Sequence, residues 1–263
     1  MGIALTHLEG RTIAVFGLAR SGLATVRAAF SGGADKVLGW DDQAGSREKA
    51  EALGAIAAQP EDWPWETVDS LVLAPGVPLT HPKPHPIVGL AQGAGVEIIC
   101  DIELLYRELA GKARFVAITG TNGKSTTTAL MGHVLKASGM QVQVGGNIGV
   151  SALDLEAGGS DPVFVIEMSS YQLDLIEDFR PDIALWLNLT PDHLDRHGDM
   201  AGYGRAKRHI FDNMKPQDLA VIGIDELEME KESADLAGRP TPPRIVTVSI
   251  AQHAQADIYV DAD

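Results

Sequence analysis

The chain has 263 residues, 45% of them hydrophobic, and a formal net charge of −15. This length suits two domains of ordinary size, and the acidic balance argues against a general nucleic-acid binder, because neutralising phosphates requires a basic face. The single cysteine, Cys100, excludes an internal disulfide and suits a reducing cytosol; at the end of an apolar run it is predicted to be a small buried side chain. No apolar run is long enough to span a membrane, and residues 1–8 lack a signal-peptide core. We therefore predict a cytoplasmic protein without membrane contact.

Strands and helices alternate through the first hundred residues. Strands are predicted at 12–16, 36–40, 70–73 and 96–99, with helices at 22–30, 85–93 and 101–109. This alternation predicts an α/β fold with a Rossmann-like, doubly wound parallel sheet. In that architecture ligands bind at the carboxyl ends of the strands.

Three features at those strand ends are each open to two interpretations. The turn from Gly17 to Gly22 is rich in glycine, but its spacing departs from the dinucleotide fingerprint, so a structural turn and a phosphate site stay equally open. Asp41 and Asp42 end the second strand, where they either accept hydrogen bonds from a ribose or a base or begin a solvated loop. The proline-rich segment 75–86 is a stiff loop, either part of a site or a surface connection.

A second α/β unit begins after a polar linker at 110–114. Its strands are predicted at 115–119, 141–144, 163–166, 182–189 and 219–224, with helices at 127–136 and 201–214. The acidic stretch 226–235 and the turn-rich stretch 238–243 form a break after the last strand. We predict one domain over residues 1–112 and a second, incomplete P-loop-type domain over 113–263.

The most informative segment lies between a buried strand and a helix of this second unit. It comprises Gly120, Thr121, Asn122, Gly123, Lys124, Ser125 and Thr126. Glycines at such a turn let backbone N–H groups approach phosphate oxygens, and the helix N-terminus adds partial positive charge. Lys124 is suited to neutralising the β- and γ-phosphates, and Ser125 to ligating magnesium. Ile118 stands where the general pattern has its first glycine, so the segment predicts a nucleotide site with a shortened loop.

A carboxylate also ends a strand close to this loop. Glu167 follows the apolar run 163–166, and a carboxylate there is the usual second protein ligand of a nucleotide-bound magnesium. A capping or ion-pair role is the alternative. The following Ser169 and Ser170 start a helix, where serine is a favoured cap.

Two further candidates are less distinctive by themselves. His193 lies in the segment PDHLDRH (191–197), which is either a set of ligands or a polar surface loop. Magnesium prefers oxygen ligands, so one histidine would be an unusual ligand for it. Lys207 lies within a helix, and nothing in the local pattern distinguishes it from Arg205 or Arg208.

Together these motifs resemble those of the Mur ligases of peptidoglycan synthesis. The resemblance is carried by GTNGKST (120–126), GGNIG (145–149), IEMSSYQL (166–173), NLTPDHLDRH (188–197) and YGRAKRHIF (203–211), and in the first domain by GLARSGLA (17–24), APGVPLTHP (74–82) and EIICDIELLYRE (97–108). It covers the chain from Gly10 to about Ile224. Serine after Lys124 is more similar to the family member that acts on D-glutamate than to its relatives.

The resemblance implies an ATP-dependent amide ligase. ATP would phosphorylate the carboxylate of UDP-N-acetylmuramoyl-L-alanine, and the amine of D-glutamate would attack the resulting acyl phosphate. Carried over by position, the family's catalytic residues are Lys124, Asn147, His193 and Lys207, and its ligands for two Mg²⁺ ions are Ser125, Glu167, His193 and Lys207. The family carbamylates the matching lysine, which would turn Lys207 into an anionic oxygen ligand.

The resemblance also implies a first-domain site for the UDP part of the acceptor. The matching positions are Arg20, Ser21, Asp41, Asp42, Ala74, Pro75 and Gly76, with Asn147 from the second domain. The pair Asp42-Gln43 departs from the Thr-Arg pair that the family has after Asp41. The family has a third domain that carries much of the glutamate site, with no counterpart here, so we expect this chain to bind the UDP substrate without ligase turnover. We also expect a monomer.

Two alternatives to a D-glutamate ligase stay open. One is a related Mur ligase for another amino acid, and the other is a fragment that binds a UDP ligand or ATP without catalysis. The set Lys124, Glu167, His193 and Lys207 argues against a mere binder, which would not need all four. The first-domain motifs argue against a folate-type ligase.

Overall fold

The computed structural model describes residues 2–147, 149–251 and 253–260, so Ile148 of the GGNIG motif lies outside the described residues. The first half forms a five-stranded parallel sheet in the order β3-β2-β1-β4-β5. Its elements in chain order are β1 (Thr12–Phe16), α1 (Arg20–Ser31), β2 (Lys36–Trp40), α2 (Ala44–Ala52), β3 (Ile56–Ala57), β4 (Ser70–Leu73), α3 (Pro86–Ala94), β5 (Glu97–Ile99) and α4 (Asp101–Leu109), with short 3₁₀ helices at Thr6–Leu8, Pro60–Asp62 and Trp65–Thr67.

The second half forms a seven-stranded parallel sheet in the order β12-β11-β10-β9-β6-β8-β7. Its elements are β6 (Arg114–Thr119), α5 (Lys124–Ala137), β7 (Val142–Gly146), β8 (Val163–Glu167), α6 (Ser170–Leu173), β9 (Ile183–Trp186), α7 (Leu194–His197), α8 (Met200–Arg208), β10 (Leu219–Gly223), α9 (Leu227–Ala237), β11 (Arg244–Ser249) and β12 (Ile258–Tyr259), with 3₁₀ helices at Ala152–Asp154 and His209–Phe211. The predicted α/β class with parallel sheets is confirmed.

The strand order places the nucleotide candidate inside the second sheet, at the end of β6 between β9 and β8. The chain leaves β6 through α5 toward β7 on one side, and later returns to add β9 on the other side. A parallel sheet opens a crevice where its strand order reverses, at the carboxyl ends of the strands. The segment 120–126 lies at that end of β6.

Helix α4 joins the two halves. Tyr106 packs edge-on against Phe115 and Phe179, with ring centroids 5.5 Å apart in both pairs. Glu103 is fully buried, and its carboxylate accepts the backbone N–H groups of residues 177, 178 and 179 at 2.9–3.0 Å. Cys100, directly before this helix, is 0% exposed, which confirms its predicted burial.

Several predicted bounds need correction. The helix after the phosphate loop begins at Lys124, three residues before its predicted start. The strand predicted at 182–189 spans only 183–186, because Leu187 and Asn188 turn toward the phosphate loop. The predicted helix 201–214 ends at Arg208 and continues as a 3₁₀ turn.

Helix α9 occupies the acidic part, 226–235, of the stretch that the sequence indicated as a break, whereas the turn-rich part, 238–243, contains no helix or strand, as predicted. Helix α9 is acidic on its surface, but Met229, Ser233 and Leu236 are buried along one face. An apolar stripe this narrow is hard to find in a charged segment. Strand β11 follows, and its residues 244–248 pair with the whole of β10. Across the described residues, every helix is too short or too polar to cross a bilayer.

Candidate active site

The phosphate loop has the backbone of an anion site. Ile118 is fully buried in β6 and pairs with Glu167, so the strand continues where the general pattern has a glycine and the loop begins at Gly120. Gly120 (φ +153°) and Gly123 (φ +81°) adopt angles that L side chains rarely adopt. The first N–H groups of α5 have no intrahelical acceptors, and the helix dipole adds positive potential there. This end of the helix is therefore suited to phosphate oxygens.

Lys124 folds back onto the loop that carries it. Its Nζ donates to the carbonyl oxygens of Gly120 and Thr121, at 2.9 Å each. These contacts hold the ammonium group beside the N-terminus of α5, where it can exchange carbonyl oxygens for phosphate oxygens without a long movement. Ser125, the next residue, is exposed at the same end of the helix.

Asn188, which follows strand β9, holds the phosphate loop by hydrogen bonds. The sequence analysis gave this residue no role. Its Oδ1 accepts the backbone N–H groups of Thr121 and Asn122 at 3.0 and 2.9 Å, and its Nδ2 donates to the carbonyl of Asn122 at 3.1 Å. The signal that could have found it is an amide just after a buried strand adjacent to the phosphate-loop strand. Asn188 fixes the curvature of the loop.

Lys207 reaches the same loop from α8. It is 1% exposed, and its Nζ donates to the carbonyl of Gly120 at 2.8 Å. Burial, together with the nearby Lys124 ammonium, lowers the pKa of Lys207 to about 7, against the opposing charge of Asp192. The structure thus separates Lys207 from Arg205 and Arg208, which the sequence pattern could not: a large fraction of its amine is neutral, and therefore nucleophilic, near pH 7.

Glu167 carries a buried oxygen atom without a partner. The residue is 1% exposed at the end of β8. Its Oε1 accepts a hydrogen bond from Asn147 Nδ2 at 3.0 Å, while its Oε2 is buried and has no hydrogen-bond partner among the described residues. A buried carboxylate oxygen normally has a donor or a cation.

This orphaned oxygen provides a test of whether the residues fit magnesium. Glu167 and the Ser125 hydroxyl are hard oxygen donors, as Mg²⁺ requires. In the described ranges, no three His, Cys, Asp or Glu side chains converge as a metal site. Magnesium at nucleotide sites is held by one or two carboxylates plus substrate phosphates rather than by a protein cage. The donor set therefore fits the ion.

His193 is exposed and conformationally unusual. It is the N-cap residue that precedes α7, with φ +52°, a left-handed conformation that costs a non-glycine residue about 1–3 kcal/mol and clusters at functional sites. Its ring lies 5.1 Å from that of Tyr171 and 6.3 Å from that of Tyr203, measured between centroids. The tyrosines thus place His193 on the side of the phosphate loop where Lys207 lies.

The candidate residues of the first domain divide into two groups. Arg20, Ser21 and Pro75 line a cleft of about 220 Å³ together with Asn147, and Arg20 donates to the carbonyls of Gly149 (2.6 Å) and Asn147 (3.4 Å). This cleft joins the predicted acceptor residues to Asn147 and, through its amide, to Glu167. Ala74 and Gly76 flank Pro75 on the same loop.

Asp41 and Asp42 are not among the residues that line this cleft. The Asp41 carboxylate accepts the backbone N–H groups of Leu18 and Gln43, at 2.7 and 2.9 Å. It therefore shapes the Gly-rich turn between Gly17 and Gly22. Its carbonyl, and that of Asp42, accept from Arg47.

A larger cavity of about 540 Å³ lies elsewhere, between the proline-rich loop and α8. Its lining includes His81, Asp174, His197 and Arg205. Burial raises the pKa of Asp174 to about 6 and lowers the pKa of His197 to about 4. Near pH 7 the His197 imidazole is therefore neutral where it contacts the Asp174 carboxyl group.

Comparison with known proteins identifies relatives along the whole chain. The profile of the Mur ligase middle domain matches residues 118–263. Proteins named UDP-N-acetylmuramoylalanine–D-glutamate ligase are 50% identical over 229 residues in Caulobacter sp. strain K31 (85% of this chain, 49% of the relative) and 46% identical over 266 residues in Nitrobacter hamburgensis (99% and 56%). The namesake from Brucella abortus is 44% identical over 262 residues (98% and 55%). The chain therefore spans about half the length of the curated relatives it matches.

Solved structures support the fold. A UDP-N-acetylmuramate:L-alanyl-γ-D-glutamyl-meso-diaminopimelate ligase from Neisseria meningitides matches with a TM-score of 0.60 at 18% identity, over 94% of this chain and 82% of that one. A murein peptide ligase from Psychrobacter arcticus matches with a TM-score of 0.58 at 18% identity, over 97% and 57%. At this identity the likeness concerns the arrangement of the two sheets alone.

Proposed function

The chain belongs to the Mur ligase family, and on this premise we propose that it forms the ATP site and the UDP-acceptor site of an ATP-dependent ligase that adds D-glutamate to UDP-N-acetylmuramoyl-L-alanine in peptidoglycan synthesis. The names of relatives at 44–50% identity support this choice of substrates. The observation that carries the proposal is the meeting of Lys124 and Lys207 at the carbonyl of Gly120. A protein that only bound a nucleotide would not need the second, buried lysine.

Different residues are proposed to hold the two reactants that form the acyl phosphate. The loop 120–126, Lys124 and the N-terminus of α5 hold the triphosphate and offset the charge that develops as the γ-phosphoryl group moves. Asn147 and His193 orient the acceptor carboxylate, whose oxygen forms a bond to the γ-phosphorus as the bond to ADP breaks. The acyl phosphate then has a leaving group that a carboxylate lacks, and the amine of D-glutamate displaces phosphate from it.

Magnesium is assigned to Ser125 and Glu167, with a second ion near His193 and Lys207. Bound there, Mg²⁺ would neutralise phosphate charge and polarise the phosphoryl oxygens. The unpartnered Oε2 of Glu167 supports this assignment. Asn147 holds the other oxygen of Glu167, so it would fix the direction in which the carboxylate faces the cation.

Lys207 is proposed to be carbamylated. Its neutral amine would add to CO₂, forming an N–C bond while one C=O electron pair moves to oxygen and the amine releases a proton to solvent. This converts a buried cation into an oxygen ligand. Chains treated with ¹³C-bicarbonate should show one protein-bound carbamate signal in ¹³C NMR that is missing in Lys207→Arg; the same signal in the variant would reject the assignment.

The domain assignment is also a proposal: residues 1–112 bind the UDP part of the acceptor and residues 113–263 bind ATP. The cleft shared by Arg20, Ser21, Pro75 and Asn147 supports an acceptor that crosses between the two halves. We further propose a cytoplasmic monomer, since ATP and UDP-linked precursors are cytoplasmic; the monomeric state stays a prediction for sedimentation analysis.

Calorimetry on the 263-residue chain tests the proposed function. We expect binding of ATP with Mg²⁺ and, separately, of UDP-N-acetylmuramoyl-L-alanine. Lys124→Met should weaken ATP binding at least tenfold and leave acceptor binding unchanged, whereas Lys136→Met, at the exposed far end of α5, should change neither. The proposal would be refuted if the unsubstituted chain bound neither ligand.

A further inference from the structure

A row of stacked side chains runs beside the active site. Its members in order are Arg196, Tyr171, His197 and Tyr203, and we call them the aromatic column. The guanidinium carbon of Arg196 lies 4.6 Å from the centroid of the Tyr171 ring. The Tyr171 and His197 rings stack at 5.4 Å with an interplanar angle of 14°, and His197 and Tyr203 lie 5.4 Å apart at 38°. The contacts are continuous from end to end.

Each end of the column contacts a different ligand loop. At one end, Arg196 Nη1 donates to the carbonyl of Gly76 at 3.0 Å, on the first-domain loop that carries the proposed acceptor residues. At the other end, the Tyr203 hydroxyl lies 3.3 Å from the Thr121 hydroxyl of the phosphate loop, and its ring centroid lies 4.6 Å from Lys207 Nζ. The column is therefore a direct physical connection between the two proposed sites.

The two members of the column nearest the phosphate loop are buried. Tyr203 is 1% exposed and His197 is 6% exposed. The ring nitrogens of His197 contact the Ser170 hydroxyl at 2.9 Å and the Asp174 carboxylate at 3.5 Å. Because close-packed side chains cannot absorb a displacement gradually, a shift at one end of such a row changes the packing at the other.

We propose that Arg196 and Tyr203 are positioning residues that couple the acceptor loop to the phosphate loop, so that each ligand strengthens binding of the other. The inference rests on the proposed function for the identity of both ligands. Acceptor bound against residues 74–76 would hold the Gly76 carbonyl in place, and so stabilise the contact of Arg196 with Tyr171 and that of Tyr203 with Thr121, which the structure already shows. By linkage, the nucleotide must favour the acceptor by the same factor, and such coupling is typically about 5- to 150-fold.

A second arginine provides a matched control. Arg27 of α1 binds Asp154 at 2.7 Å and so also bridges the two halves, with side chains 45% and 33% exposed. It does not belong to the column. If Arg196 only held the two halves together, loss of Arg196 and loss of Arg27 would have similar effects on the coupling between the ligands.

The experiment measures the dissociation constant of a non-hydrolysable ATP analogue with Mg²⁺, with and without saturating UDP-N-acetylmuramoyl-L-alanine. The ratio of the two constants should be at least about fivefold in the unsubstituted chain and in Arg27→Gln. It should fall below twofold in Arg196→Gln and in Tyr203→Phe, while Arg196→Lys, which keeps the charge and a donor, should restore part of it. Thermal unfolding establishes that each variant is folded, and Tyr203→Phe, which removes only the hydroxyl group facing Thr121, carries the test if Arg196→Gln is not folded.

The outcomes separate the two proposals. If both ligands bind but the unsubstituted ratio is one, or if Arg196→Gln keeps the full ratio, the coupling is refuted and the proposed function stands. An equal loss in Arg27→Gln assigns Arg196 a structural role alone and also refutes the coupling. If neither ligand binds the unsubstituted chain, the proposed function fails and the coupling fails with it.

Discussion

Replacing Lys207 by methionine is predicted to stabilise the folded chain while it removes a group proposed for the chemistry. The ordinary lysine pKa of 10.5 falls to about 7 in the folded protein, first because the amine is buried and then because Lys124 repels its charge. An unfolded chain regains the ordinary pKa. Folding at neutral pH therefore has to release a proton from Lys207 or bury its charge, and both are unfavourable.

The pH dependence has a definite sign. Because the folded-state pKa lies below the unfolded one, the unfolded state binds more protons between pH 7 and 10.5, so the stability of the wild-type chain rises with pH across that window. The penalty is fully present below pH 7, where it is about 5 kcal/mol at roughly 1.4 kcal/mol per pKa unit, and it vanishes above pH 10.5. Methionine has a similar shape and no charge, and losing the bond to Gly120 offsets about 1 kcal/mol.

Urea unfolding in CO₂-free buffers tests this reasoning. Lys207→Met should exceed the wild-type free energy of unfolding at pH 7, and that advantage should shrink by about 2 kcal/mol between pH 7 and pH 9. Lys136→Met, which alters an exposed lysine on α5, should show no such change. An advantage that stays constant from pH 7 to pH 9 would refute the assignment of a depressed lysine pKa.

Three further predictions concern residues that position the site. Glu103→Ala leaves three backbone N–H groups without their acceptor and should cost about 3–5 kcal/mol in urea unfolding. Glu97→Ala removes a more exposed carboxylate that, like Glu103, pairs with Arg107, and it should cost at most about 1 kcal/mol; equal costs would contradict the role of Glu103 as the acceptor of these N–H groups. Asn188→Ala leaves two loop N–H groups without their acceptor and should weaken ATP binding, measured by calorimetry, about tenfold. Acceptor binding should be unchanged, and an unaltered ATP affinity would contradict the role of Asn188 in holding the loop. Gly132→Ala places a Cβ 2.4 Å from the stiff side chain of Val144 and should lower stability by about 1–3 kcal/mol, whereas a gain would mean that α5 can shift.

The sequence predicted the parts of this structure that depend on local pattern. Apolar runs marked the strands, and the Gly-rich segment with Lys124 marked the turn between β6 and α5, because both signals lie within a few consecutive residues. The capping role of Ser169 is confirmed as well, since Gln172 completes a capping box with it. These features need no knowledge of which segments meet in space.

The contacts that sequence reasoning missed all join distant segments. Asn188 reaches residues 66 and 67 positions earlier, and Glu103 binds a turn more than 70 residues later. The burial of Lys207 likewise follows from the placement of α8 under Gly120, which is 87 residues away. Helical periodicity alone makes such a lysine indistinguishable from a solvated one.

The position of β6 within its sheet has a consequence for synthesis of the chain. Both neighbours of this strand come later in the sequence: Arg114 pairs with Val163 of β8, and Val116 pairs with Ile183 of β9. At a translation rate of 5–20 residues per second, the roughly 40 residues that separate β6 from β8 take about 2–8 s to appear. Throughout that interval the strand β6, of which residues 115–119 are buried in the folded chain, has neither partner strand, and unpaired strand edges attract non-native pairing. Expression yield should therefore depend on chaperone supply, and a ribosome pause between residues 120 and 162 should prolong the period of greatest risk.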